Sequence, residues 1–504
     1  MPPVLSTVNS FWLPRILARV RDLAAQCGGR AVLDLLIQGG LVVTPAGAEH
    51  LSIGISDGKI ALLAQGTVAE QAARTLVADG LVLVPGGIDP HIHCDMEVAD
   101  PGGGEPSYTG GAETVSAAAL HGGTTCLIDF AWNTPEESIS ETLEARKAQW
   151  LGSSYTDFSF HIVLSGEIEP SKLDQVPDVI TAGFPSFKIF TSDVIPGEPP
   201  TKVPFGSIWE MLKVTARHNG LLAIHAEDDD LVMHMYREYI RQGRVGFEHM
   251  SEVHSSLSEE LSFRRVIGLA KSVPGSILYM MHVSAASGVA AIAEGRAQGV
   301  AVFGETLHQY ALHTDDDYQE PDGMKFHTYP SLKSAADTQG LWQGVAHGEI
   351  ATFATDELCT SYAVKTAGRR IDDVTGGNTG VEPRMAIVFT EVVQRRGLGL
   401  VRFTELTSTN AAKIMGLYPQ KGVIALGSDA DLALIDPEAV RVITAADLHE
   451  SDYTPWEGWR VGAWPVITVL GGQVVVEGGR FTAPERPGRL LHRALRPEVR
   501  LGVL

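Results

Sequence analysis

A chain of 504 residues, 44% hydrophobic and 20% charged, is long enough for a large buried core and more than one domain, and its composition excludes a predominantly disordered protein. With 39 Lys and Arg against 61 Asp and Glu, the formal net charge is -22, which disfavours nucleic acid or an anionic membrane as partner through long-range repulsion. The four cysteines, Cys27, Cys94, Cys126 and Cys359, show no short Cys-x-x-Cys spacing, so neither a disulfide framework nor a thiolate zinc cluster is indicated and a reducing cytoplasm is the expected compartment.

Residues 1–30 carry Phe11-Trp12-Leu13 and Ile16-Leu17, interrupted by Arg15, Arg19 and Arg21. This reads as a short amphipathic extension without the apolar core of a signal peptide. From Leu35 to Gly66, β-rich runs such as Leu51 to Ile55 are punctuated by Gly39-Gly40 and Asp57-Gly58, a hairpin pattern. A second β-rich stretch returns at Ala430 to Ile435 and Val466 to Leu470. Both chain ends are therefore expected to build one small β-sandwich domain, from 31–80 with 425–485, followed by a tail over 486–504. Between them, over 81–424, apolar runs alternate with helical-looking segments: Leu81–Val84, Thr124–Phe130, Phe158–Leu164, Ser186–Phe190, Leu221–Ile224, Ile277–Met281, Val300–Phe303 and Ile350–Ala354. That alternation predicts an α/β fold, a (β/α)8 TIM-like barrel, with an open doubly wound sheet as the alternative. No stretch approaches the roughly 20 apolar residues of a membrane helix.

Polar residues fall where such a barrel would gather them. His91 and His93 follow the first run; side chains two apart on an extended strand point the same way, so two imidazoles can face one cation. Lys188 lies in the fourth run, His225 ends the fifth, His282 the sixth and Asp356 the eighth. Strand carboxyl ends converge on one mouth of a barrel. Taken singly, each has an ordinary alternative: a hydrogen-bonded core histidine, an Asp356 that caps a helix, a Lys188 that snorkels to solvent. Taken together, six ligand-capable side chains at separate strand ends predict a metal site. A desolvated lysine amine can also add carbon dioxide, and the resulting carbamate offers two oxygens to bridge two metals.

In Pro85-Gly86-Gly87-Ile88-Asp89-Pro90-His91-Ile92-His93, Gly122-Gly123-Thr124-Thr125, Ser186 to Phe190, His225-Ala226-Glu227, His282-Val283-Ser284, Thr355-Asp356 and Leu426 to Leu432, the chain resembles the dihydropyrimidinase/hydantoinase branch of the amidohydrolase superfamily, over about Leu33 to Gly479. The resemblance implies a barrel plus a split β-sandwich and two divalent ions, zinc first, with manganese, cobalt or nickel as alternatives. One ion would be held by His91, His93, carboxylated Lys188 and Asp356, the other by the same carbamate with His225 and His282. It also implies Asp356 as general base and then acid, a small cyclic amide as substrate, and a homo-oligomer, dimer or tetramer. The segment Thr375 to Arg384 corresponds to the family's ring-holding loop, with Asn378 as substrate contact or turn residue.

Three positions depart from the family pattern. Asp193 stands five residues past the lysine, where hydantoinases carry a tyrosine that donates to the developing oxyanion, and a carboxylate cannot donate unless protonated. The loop that follows has Pro196, Pro199 and Pro200. Tyr329-Pro330-Ser331-Leu332-Lys333 replaces a Ser-Pro-Pro-Leu-Arg segment, making Tyr329 a candidate substrate contact, and Glu357 replaces a frequent histidine. Asp95, where dihydroorotases place an arginine, argues against that activity. An allantoinase, or a hydrolase of another amide, urea or carbamate, stays open beside the cyclic amidase, as does a non-catalytic scaffold.

Overall fold

The computed structural model describes residues 32–197, 200–483 and 488–504. The extension expected over 1–30, Cys27 and Pro199 lie outside them. Eight parallel strands follow one another around a nearly closed barrel: β1 (Gly87–Asp89), β2 (Thr124–Trp132), β3 (Asp157–Val163), β4 (Ser186–Phe190), β5 (Leu221–His225), β6 (Ile277–Met280), β7 (Ala301–Leu307) and β8 (Ile350–Ala354). β1, β3 to β8 are buried at every residue, as expected for parallel strands covered by helices, which show no polar alternation. The ring closes between β8 and β1 at the mouth. Ile92 bridges Glu357 in parallel, His93 N–H donates to the Glu357 carbonyl at 2.8 Å, and Thr355 Oγ1 donates to Asp89 Oδ2 at 2.7 Å.

The helices between strands bury one stripe each. In Phe205–His218 the buried positions Ile208, Met211, Leu212 and Thr215 recur at the three- and four-residue spacing of one helix face. Asn219 ends that helix in the left-handed conformation at φ +64°. Among the described residues no helix is long and apolar enough to cross a membrane.

The apolar run Leu81–Val84 is not the first barrel strand. Val82–Pro85 pairs antiparallel with Leu432–Asp436 and parallel with Leu41–Thr44, inside a 10-stranded sheet from the two chain ends. The barrel begins after Gly86, where a Cβ would lie 2.2 Å from Thr125 Oγ1, so a glycine is needed for the chain to cross so close to β2. Within the sheet, the long strand Gly47–Ser56 pairs with Leu41–Thr44 through its first half and with Leu33–Gln38 and Lys59–Gln65 through its second. Leu35, Ile37, Ile53, Ile55, Leu432, Leu434 and Val469 pack into a shared core.

The segment expected as a tail over 486–504 is, from residue 488 on, part of the barrel's underside. Phe158 N–H donates to the Arg489 carbonyl and Leu491 N–H returns to the Phe158 carbonyl, at 2.9 and 2.8 Å. Arg493, 2% exposed, donates to Ser159 Oγ and Ser186 Oγ, both at 2.8 Å, and so ties β3 to β4.

Candidate metal centre

All six expected ligand side chains meet at the carboxyl mouth of the barrel. His91 and His93 leave β1 with both Nε2 atoms near one oxygen, Asp356 Oδ1, at 2.9 and 3.0 Å. His91 Nε2 is buried there and makes no hydrogen bond in spite of that distance. On the far side, His225 Nδ1 lies 3.0 Å from His282 Nε2, and the His91 and His282 ring centres are 5.5 Å apart. Lys188, 1% exposed, stands between the two groups, in β4 beside Val163 of β3 and Ala223 of β5. Its Nζ contacts Met281 Sδ at 3.0 Å and the rings of Phe190 and Phe130 at 4.8 and 5.6 Å.

The electrostatics follow from burial and from two carboxylates. Burial pulls the Lys188 ammonium down to about 8, against the opposing pull of Asp356 and Glu305. Burial alone would lower His91, but Asp356 and Glu305 on either side outweigh it and lift the imidazole to about 9. Burial would raise Asp356, yet His91 and His93 hold it well below the usual carboxylate range. His225 and His282 are lowered, by burial first and by the neighbouring Lys188 charge, which leaves both imidazoles neutral. The site therefore concentrates negative potential at His91 and Asp356 and keeps nitrogen donors neutral opposite. Two of its members, His282 at φ +37° and Asp356 at φ +51°, occupy left-handed backbone that is sparsely populated for non-glycine residues.

Two supporting carboxylates were not among the expected site residues. Glu305, on β7 and fully buried, accepts from His91 Nδ1 at 2.7 Å, from the His282 N–H at 3.1 Å and from Tyr279 Oη at 2.8 Å. Glu227 joins His225 Nε2 to His254 Nδ1, each at 3.0 Å, and His254 Nε2 reaches Tyr236 Oη at 2.9 Å. A buried Glu inside the apolar run of β7 was a visible signal; His254, on no strand end, offered none.

The expected substrate contacts fall differently. Asp193 does not offer a free carboxyl: its Oδ1 accepts the N–H groups of Thr201 and Lys202 at 3.0 and 2.9 Å and closes the loop after β4. Tyr329 stacks its ring over Gly376, where a Cβ would be 2.2 Å from Tyr329 Cδ2, and its Oη donates to the Val374 carbonyl at 3.4 Å. Asn378, fully buried, donates from Nδ2 to the Phe326 carbonyl at 3.1 Å, while its Oδ1 has no hydrogen-bond partner. Its backbone bridges Glu357, so the segment 375–384 is pinned beside Asp356. A cavity of about 310 Å³ opens next to His93, walled by Met96, Phe130, Trp132 and Arg146.

A nearly closed parallel barrel with imidazole and carboxylate donors converging at its carboxyl mouth is the arrangement of the metal-hydrolase class of TIM-like barrel. Residues 82–475 match the amidohydrolase family model. A D-hydantoinase of Geobacillus stearothermophilus is 32% identical over 472 residues, covering 91% of this chain and 96% of the relative. A D-hydantoinase of Streptomyces coelicolor is 33% identical over 469 residues, covering 91% and 98%. The crystal structure of a dihydropyrimidinase from Brevibacillus agri NCHU1002 superposes with a TM-score of 0.86 at 28% identity, over 92% of this chain and 99% of that one. The chain belongs to the amidohydrolase family, in its hydantoinase/dihydropyrimidinase branch.

Proposed function

We propose that this protein hydrolyses the ring amide of a hydantoin or dihydropyrimidine, using two divalent metal ions held at the barrel mouth. The observation that carries the reading is the meeting of His91 Nε2, His93 Nε2 and Asp356 Oδ1 within 3.0 Å, beside a buried Lys188 and the His225–His282 pair. One ion would be held by His91, His93, Asp356 and a carboxylated Lys188, and the other by the same carbamate with His225 and His282. The donor set fits zinc first, with manganese, cobalt or nickel as alternatives, because neutral imidazoles and carboxylate oxygens suit borderline divalent ions. His91 Nε2, buried and without a hydrogen bond, fits a ligand awaiting a cation. So does Lys188: a neutral amine adds CO2 as it releases a proton, and burial brings that neutral amine near physiological pH.

Bound at this mouth, divalent ions supply Lewis acidity toward the amide carbonyl and lower the pKa of water to near neutrality. The chain's own residues do the rest. Asp356 takes the proton of the attacking water and later gives it to the leaving ring nitrogen, a general base and then acid. Glu305 and Glu227 hold the His91 and His225 rings so that the opposite nitrogen faces the centre. The segment 375–384, including Asn378 and with Tyr329 against it, holds the polar edge of the ring, and the cavity beside Trp132 and Phe130 takes its substituent. Asp193 is assigned to shaping the loop after β4. A cytoplasmic homo-oligomer, dimer or tetramer, is the expected form, to be read by sedimentation.

The test is metal content on the purified protein together with turnover of hydantoin, dihydrouracil, allantoin and a 5-aryl hydantoin, followed by loss of the ring amide. Opening of a hydantoin or dihydrouracil ring supports the reading. Cleavage of an acyclic amide with none of the rings opened would overturn the cyclic substrate while leaving the metal centre. Less than about one equivalent of bound metal would favour the scaffold.

A further inference from the structure

A second group of metal-type donors lies away from the barrel mouth, where the first barrel helix meets the C-terminal segments. His121 ends the helix Ala112–His121, Glu382 precedes the helix Arg384–Phe389, and His449 sits in the loop before Tyr453. One donor atom from each lies within 4.8 Å of the others. Glu382 is 2% exposed and His121 is 7% exposed, whereas the His449 side chain is 46% exposed. Glu382 is aimed at the group: its carboxylate accepts the His449 N–H at 2.8 Å and faces His449 Nδ1 at 3.1 Å. His121 stacks on His449 with ring centres 3.7 Å apart and planes 9° from parallel. Among the described residues, neither ring nitrogen of His121 makes a hydrogen bond. The three side chains face a cavity of about 500 Å³, which Arg441 and Asp447 also line.

We propose that His121, Glu382 and His449 form an additional site for a divalent transition-metal ion of the zinc class. Two imidazoles and one carboxylate make a complete protein donor set, with the cavity supplying water for the fourth position. Hard cations such as magnesium favour oxygen ligands, so the imidazoles select against them. A cation must lie in the plane of each donating ring, and stacked rings cannot both meet that condition. Binding therefore turns the half-exposed His449 ring out of the stack, while His121 and Glu382, both buried, stay in place. The neighbouring Glu450 accepts the Gly380 and Glu382 N–H groups at 2.8 and 2.7 Å. An ion here thus clamps the ring-holding segment 375–384 to the first barrel helix and to the loop carrying His449. Its role is to stiffen that segment, since an ion that binds only the folded state stabilises it.

The experiment compares Zn2+ bound by the wild type and by His449→Ala after equilibration with the same excess of free metal, counted by elemental analysis, with hydrolase activity as the check on folding. His449→Ala is expected to hold one equivalent fewer, to keep its activity within about threefold, and to lose part of the zinc-induced rise in melting temperature. Co2+ titration supplies an independent reading: the visible absorption of the wild type should exceed that of His449→Ala and of Glu382→Gln by one ion's contribution. Equal zinc counts and equal cobalt spectra in wild type and variants would overturn the site, whatever the fate of the barrel-mouth centre.

Discussion

Glu305 Oε1 lies 2.7 Å from Nδ1 of His91, with both side chains buried in the barrel wall. That contact fixes which nitrogen of His91 turns toward Asp356. Glu305→Gln preserves the shape but weakens the acceptor, and loss of such a supporting carboxylate typically costs 10- to 100-fold in metal affinity. Competition with a chromophoric chelator measures it. Affinity unchanged from wild type would remove Glu305 from this role.

Under the proposed function, Lys188→Ala should abolish both binding of the paired barrel-mouth ions and the activity, because a carboxylated Lys188 would be the ligand the two ions share. A short added carboxylate should restore part of the rate by taking its place. Full activity without any additive would make Lys188 a bystander.

Asp356→Asn should cost rate more than metal. Removing a proton-transfer group typically costs about 10²- to 10⁴-fold in kcat, while in the proposed centre the four histidines and a carboxylated Lys188 would remain to hold the ions. Paired measurements of kcat and zinc content decide it. A drop in bound zinc that accounts for the whole loss of rate would leave Asp356 as a ligand alone.

Glu259 gives the stability a predictable pH dependence. It accepts the Ser284 and Ala285 N–H groups at 3.1 and 3.0 Å, just beyond His282, and burial pushes its carboxyl up to about 7 against the pull of Lys333. A folded-state pKa above the unfolded one means that the folded protein holds the extra proton. The contribution is therefore fully present below about pH 4.5 and is lost as pH rises through about 7, a change on the order of 3 kcal/mol. Melting temperatures of wild type and Glu259→Gln at pH 5 and pH 8 test this. The difference between the two proteins should change with pH in that sense, and a constant difference would contradict it.

The convergence of the six candidate donors was readable because a barrel gathers its strand ends at one mouth, and a strand end is a local pattern: a buried apolar run followed by His or Asp. Seven of the eight expected barrel strands coincide with observed ones for the same reason. Leu81–Val84 was misassigned because a central strand of the terminal sheet and a parallel barrel strand both read as unbroken apolar runs, and periodicity does not say which sheet receives them. The last segment read as a tail because Arg493 has its partners, Ser159 and Ser186, more than 300 residues away.

Side-chain type and spacing along the chain carried the barrel, the terminal sheet and the convergence of the six candidate donors, since burial and strand direction are properties of short segments. Which carboxylate orients which histidine, the capture of Asp193 by Thr201 and Lys202, and the meeting of His121 with Glu382 and His449 were settled by folding. Each of these depends on atoms brought within hydrogen-bond reach by the closure of the barrel and its loops, and such distances are set by packing over the whole domain.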